Sequence, residues 1–89
     1  MIKIENQMIR YELEGEVVGF ITFPFIRDGV VDITQTFTHT KHRGKGIAKI
    51  LLDALYDYLK TNNLRAITSC SYAVKYFQRY PEKQDILEI

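Results

Sequence analysis

Eighty-nine residues, 46 % hydrophobic and 26 % charged, describe one ordinary globular domain and leave no room for a second domain, a long repeat array or a disordered tail. Twelve basic against eleven acidic residues give a formal charge of +1, without the positive surplus used against a phosphate backbone, so general DNA or RNA binding is disfavoured. The longest apolar stretches fall far short of the roughly 20 residues of a membrane span, and a lone Cys70 with no leader-like start points to a reducing cytoplasm.

Ile9, Tyr11 and Leu13 alternate with Arg10, Glu12 and Glu14, which predicts a half-buried strand over 8–13 and a turn at Glu14-Gly15-Glu16. The run 17–26 is β-branched and aromatic. It predicts a second strand, interrupted near 23–25 because Pro24 cannot donate to a ladder. Asp28-Gly29 is a tight hairpin signal leading to a third strand over 30–39. Its expected apolar face carries Val31, Ile33, Gln35, Phe37 and His39, and its other face carries Val30, Asp32, Thr34, Thr36 and Thr38. Together the three strands form an antiparallel meander.

Beyond the polar segment 40–44, Ile47, Ile50, Leu51, Ala54, Leu55, Tyr58 and Leu59 recur at the three-four spacing of one helical stripe, with Asn62-Asn63 as its stop. A fourth strand over 64–69 and a helix over 72–79 follow, the helix capped by Ser69 or Ser71 and ended by Pro81. A right-handed crossover lays the fourth strand parallel to the third. The expected fold class is α+β in the order β-β-β-α-β-α, one domain over 1–89, with 82–89 compatible with more than one state.

The chemistry concentrates at Arg43-Gly44-Lys45-Gly46-Ile47-Ala48, where two glycines and two cations bracket a helix start. First-turn amides lack intrahelical partners, the helix dipole adds partial positive charge, and glycines admit an anion close to the backbone. A phosphate or pyrophosphate fits. The Gly-x-x-x-x-Gly-Lys-Ser/Thr spacing of a nucleotide P-loop is absent, and Lys49 replaces the third glycine of a dinucleotide fingerprint.

In this loop the sequence resembles the GNAT acetyltransferase superfamily, whose acetyl-coenzyme A loop reads Gln/Arg-x-x-Gly-x-Gly/Ala at a strand-to-helix junction. Lys41 to Gly46 matches with one change, a lysine where glutamine or arginine is usual. The likeness spans about 17–80 and is stronger to a small GNAT-like subfamily that carries this loop and a single cysteine after the following strand. It implies acetyl-coenzyme A as the ligand, with its pyrophosphate on the amides of Arg43, Gly44, Lys45, Gly46, Ile47 and Ala48. It further implies pantetheine running along Phe37, Thr38 and His39, a fourth strand splayed from the third, and a strand amide near Phe37 that polarises the thioester. Tyr76 and Phe77 fall beside the coenzyme in the same comparison.

Cys70-x-x-Ala73-x-x-x-Phe77 aligns with the family's Asn-x-x-Ala-x-x-x-Tyr, so the phenol that protonates the departing thiolate is replaced by a phenyl ring. The two helices that wall the superfamily's acceptor site are replaced by Gly15 and its neighbours. Cys70 is either a small buried hydrophobe or, with a thiol pKa lowered by a helix start, the group that accepts the acetyl. His39 and His42 lie close enough to the loop to serve as a base, whereas two histidines and one cysteine make a poor zinc set. The expected function is acetyl transfer from acetyl-coenzyme A to an unidentified amine. The alternatives are a non-catalytic binding or carrier module, acetylated on Cys70 or not, and a small interaction domain without ligand.

Overall fold

The computed structural model describes residues 1–88. Its strands are β1 (Ile2–Glu5), β2 (Met8–Leu13), β3 (Glu16–Thr22), β4 (Phe25–Arg27), β5 (Val30–Ile33), β6 (Gln35–Thr38) and β7 (Arg65–Thr68). The helices are α1 (Ile47–Thr61) and α2 (Ser71–Arg79), with 3₁₀ turns over Thr40–His42 and Pro81–Ile86. No described helix is long and apolar enough to cross a membrane.

Two sheets result, β1-β2-β3-β6 and β4-β5-β7. The first is antiparallel throughout, and in the second β5 runs parallel to β7, as the crossover through α1 requires. The break between them lies at Thr34, inside the segment expected as one continuous third strand. Residues before it pair with β7 and residues after it pair with β3. Thr34 is tied twice to Thr22 of β3: its amide donates to Thr22 O at 3.1 Å, and the two threonine hydroxyls lie 2.7 Å apart. Across the break, the amides of Ser69 and Cys70 both donate to Ile33 O at 3.0 Å, and Asp32 takes the Ser69 hydroxyl at 2.8 Å.

That break corrects the expected face assignment. Val31 and Ile33 are buried, but Phe37 is exposed on the outer face, stacked on Phe20 with centroids 5.2 Å apart. Thr36 and Thr38 pair with Ile21 and Gly19 and so face α1. The split sheet redirects the hydroxyl-bearing side inward.

The second expected strand is interrupted at 23–24, where Phe23 turns into the core against Tyr58 at 5.7 Å. Gly29 supplies the left-handed residue of the β4–β5 hairpin. An additional strand, β1, pairs with β2 through a turn in which Gln7 takes φ 65°. Nothing in that turn announces itself, because glutamine is not the usual left-handed residue.

The core lies between the sheets and α1. Leu51, Leu52, Leu55 and Leu59 point from α1 into Ile9, Ile21, Val31 and Ile33. Ile50, expected in the stripe, is exposed, and Leu52 takes a buried place instead. Asn63, in the left-handed region, ends α1 as anticipated. The cap of α2 is Cys70, not Ser69 or Ser71, since Ser69 is committed to Asp32 and Ser71 is already helical. After Pro81 the chain forms a 3₁₀ turn and returns to β7, where Glu88 N donates to Ala66 O at 2.8 Å. Ile89, the end of the segment left unsettled by sequence, lies outside the described residues.

Candidate functional site

The 3₁₀ turn after β6 and the residues 43–46 carry the chain into α1. Gly44 and Gly46 take φ of 82° and 76°, and Gly46 is the N-cap. A Cβ on either would meet nothing within 4 Å, so backbone conformation and not crowding calls for glycine, and both face open space. The bond that starts α1 runs from Ile50 N to Gly46 O at 3.0 Å, which leaves the amides of Ile47, Ala48 and Lys49 without intrahelical acceptors. No acidic side chain stands in the first turn.

A cleft of about 440 Å³ opens over these amides. One wall is Thr36 and Thr38 of β6, and the other is the helix start with Tyr72 of α2 above it. His42 and Arg43 complete the rim. Because β6 pairs with β3 alone, its opposite edge is free. His39 N donates to Val18 O at 2.7 Å, so strand alternation turns the Phe37 amide toward β3 and the amides of Thr36 and Thr38 toward the free edge. The Thr36 amide is one of the groups on this edge that favour the Cys70 thiolate. The Thr38 amide faces the cleft, and the Thr38 carbonyl beside it accepts from Arg43 Nε at 3.4 Å.

Three comparisons bear on this arrangement. The sequence matches the profile of the GCN5-related N-acetyl-transferase family over residues 8–86. The chain belongs to that family. Mouse Protein NATD1 is 31 % identical over 88 residues, covering 93 % of this chain and 80 % of the relative. A GCN5-like protein of Staphylococcus aureus, solved by NMR, superposes with a TM-score of 0.80 at 27 % identity, over 99 % of this chain and 87 % of the other. A Bacillus anthracis protein solved in complex with acetyl coenzyme A shares the fold at a TM-score of 0.63 and 18 % identity, over 81 % of this chain and 44 % of the other.

As a member of the GCN5-related family, the chain places its motif residues unevenly. Arg43, Gly44, Gly46, Ile47 and Ala48 line the cleft, while Lys41 and Lys45 are exposed outside its lining. His39 also stands outside, its Nδ1 accepting from Lys41 N at 3.2 Å and so capping the 3₁₀ turn. His42 lines the cleft, with a buried Nδ1 that has no hydrogen-bond partner among the described residues. Phe77 is a core residue at 3 % exposure.

Cys70 is half-buried at the back of the free edge, its thiol 3.5 Å from Thr36 Oγ1. Desolvation raises its pKa, but the Thr36 hydroxyl and the amides of Ala73, Tyr72 and Thr36 favour the thiolate more strongly and hold it below the ordinary value.

Tyr76 belongs to a neighbouring cleft of about 360 Å³, which shares Tyr72 with the first and is rimmed by Lys49, Lys75 and Arg79. Its hydroxyl bonds Asp53 and accepts from Lys83 Nζ at 3.1 Å. Burial and the Asp53 carboxylate push the Tyr76 phenol up to about 12. It is therefore a committed structural donor and a poor source of a proton at neutral pH. Thr36 and Tyr72 are the site residues that sequence reasoning missed. The resemblance ran along residues 37–39, and only the break at Thr34 turns Thr36 inward.

Proposed function

We propose that this chain binds acetyl-coenzyme A in the cleft at the mouth of α1 and transfers the acetyl group to an amine. The observation that carries the reading is the set of unpartnered amides beside two left-handed glycines, opening on a cleft large enough for a diphosphate. Family membership and the neighbour solved with acetyl coenzyme A support it.

In this reading the amides of 44–48 and the Arg43 guanidinium hold the diphosphate. The free edge of β6 takes the pantetheine arm by main-chain bonds, as an added strand would. Thr38 N donates to the thioester oxygen, in the role the sequence comparison gave to Phe37, because its amide is the one turned outward. His42 accepts a proton from the incoming ammonium. The C–N bond forms as the C–S bond breaks, so an ammonium loses two protons in all, one to the departing thiolate and one through His42 to solvent. Tyr72 and the basic rim of the second cleft lie where the nucleotide end emerges.

A second reading, a carrier acetylated on Cys70, draws on the lowered thiol pKa and its place at the free edge. Amide chemical shifts on adding coenzyme A test the first reading. Responses at 44–48 and at Thr36 and Thr38 are expected, and unmoved signals there would overturn it. Turnover of acetyl-coenzyme A with an amine panel, read as free thiol, tests transfer, and intact mass after exposure to acetyl-coenzyme A tests the acetylated cysteine.

A further inference from the structure

The sheet that walls the cleft has a second unpaired edge. In the order β1-β2-β3-β6, the edge of β6 borders the cleft, and the edge of β1, at the opposite end, pairs with nothing among the described residues. The phase of the β1–β2 ladder sets which groups that edge offers. Met1 and Glu12 exchange both main-chain bonds at 2.8 Å, and the register runs on through Ile2↔Tyr11, Lys3↔Arg10, Ile4↔Ile9 and Glu5↔Met8. Alternation therefore turns the amides and carbonyls of Lys3 and Glu5 toward β2 and those of Ile2 and Ile4 outward.

The side chains of β1 suit a particular partner. Ile2 and Ile4 share the inner face of the sheet, but Ile2 packs on the core whereas Ile4 is 44 % exposed. Lys3 and Glu5 share the outer face, where Lys3 pairs with Glu12 at 3.3 Å and Glu5 with Arg10. An edge lysine ordinarily discourages pairing with another chain. In β1 an opposite charge stands two residues further along the same face, so one antiparallel register of the strand against its own copy turns the obstacle into an attraction.

A two-fold axis pairs β1 with itself antiparallel, and each choice of centre sets different neighbours. Centred on Lys3 or on Glu5, the pairing puts like charges face to face. Centred on Ile2, it sets Lys3 against Met1, with no counter-charge. Centred on Ile4, it lets the outward amide and carbonyl of Ile4 exchange two bonds with those of the second copy and lays Ile4 on Ile4 across the inner face. The same register places each Lys3 opposite a Glu5 in the narrow position where side chains come closest. We propose that two copies of this chain associate in that register through β1, joining their four-stranded sheets into one. The contact lies at the far end of the sheet from β6, so the cleft at the mouth of α1 stays open in both copies, and the pairing does not depend on what that cleft binds. A four-residue edge covers far less than about 1,200 Å², so the association is weak and concentration-dependent.

The test is sedimentation equilibrium of the full chain from micromolar to millimolar concentration at low salt, with amide shifts followed on dilution. The apparent mass is expected to climb from one chain toward two, and the dilution shifts to gather at 2–6. Lys3→Glu opposes two acids at each end of the contact, and Glu5→Lys opposes two bases, so each single variant is expected to weaken self-association by about tenfold. When the two variants are mixed in equal amounts, every facing pair across the contact again carries opposite charges, and association at the wild-type level is expected to return. A variant that merely unfolds cannot be rescued in this way. A single-chain mass at every concentration, single variants that associate as the wild type does, a mixture no better than either variant alone, or dilution shifts centred on the exposed Phe37 instead of β1 overturns the pairing.

Discussion

Gly19 ties the fold to the cleft, and enlarging it is the sharpest perturbation the structure offers. It lies buried on β3 opposite Thr38, with an ordinary negative φ, so its need is one of close approach. A Cβ there would stand 2.9 Å from Ile47 Cγ2, 3.0 Å from Phe37 O and 3.3 Å from Leu51 Cδ1. Ordinary contact begins at 3.4 Å, so the neighbours must retreat by about 0.5 Å. Ile47 Cγ2 sits on a β-branched carbon with a restricted χ1, and the Phe37 carbonyl can move only with β6. Overpacking of this kind costs about 1–3 kcal/mol, offset by about 0.5–1 kcal/mol from the lower chain entropy of alanine. With a urea slope of about 1 kcal/mol/M for a chain this small, Gly19→Ala is expected to lower the unfolding midpoint by about 0.5–2 M. Both displaced groups border the cleft, one the first residue of α1 and the other next to Thr38, so coenzyme A affinity falls as well, by about tenfold. Ile9→Val is the control: it removes a buried methylene from β2, away from the cleft, and costs about 0.5–1.5 kcal/mol without touching affinity. A Gly19→Ala protein that binds coenzyme A like Ile9→Val does, or that keeps the wild-type midpoint, would refute the argument.

Gly46→Ala retains open space around the new methyl but forces alanine to φ 76°, so a loss of about 1 kcal/mol and weaker coenzyme binding are expected from calorimetric titration beside a urea melt. Burial opposes the ionised form of Asp53, yet bonds from Lys49, Tyr76 and Lys83 outweigh it and draw the carboxyl from 3.8 to about 2. Its folded pKa lies below the unfolded one, so its stabilisation is present above pH 4 and fades as pH falls toward 2. Allowing for its partial exposure, Asp53→Asn is expected to cost about 1–2 kcal/mol at pH 7 and little at pH 2, as read by thermal unfolding across that range. Cys70→Ala keeps the fold and the amine-acetylation rate if the thiol only contacts the strand edge. If mass spectrometry finds the wild type stably acetylated and the variant not, the carrier reading gains the site.

Which parts of this were legible follows from how local their causes are. The α1 stripe, the Asp28-Gly29 hairpin and the glycine loop are each written within a dozen or so neighbouring residues, and the structure carries them, with Leu52 buried in place of Ile50 in the stripe. The β1 strand was invisible because its turn uses Gln7 where glycine or asparagine would have signalled it. Thr34 was read through because a threonine in a β-branched run looks like strand. Its exclusion is decided by Thr22 and by the amides of Ser69 and Cys70, all more than ten residues away in sequence. With that break come the inverted faces, which bring Thr36 into the cleft beside Thr38.

The divided sheet also bears on what a guest must contribute when it arrives. Residues 33 to 35 belong to both halves of the molecule by covalent continuity, and the bonds of Thr34 and Ile33 anchor that hinge from each flank. On the coenzyme-binding reading, the edge of β6 that would meet the ligand is therefore positioned by the protein's own bonds, and the ligand's carbonyl has to match the register those bonds set.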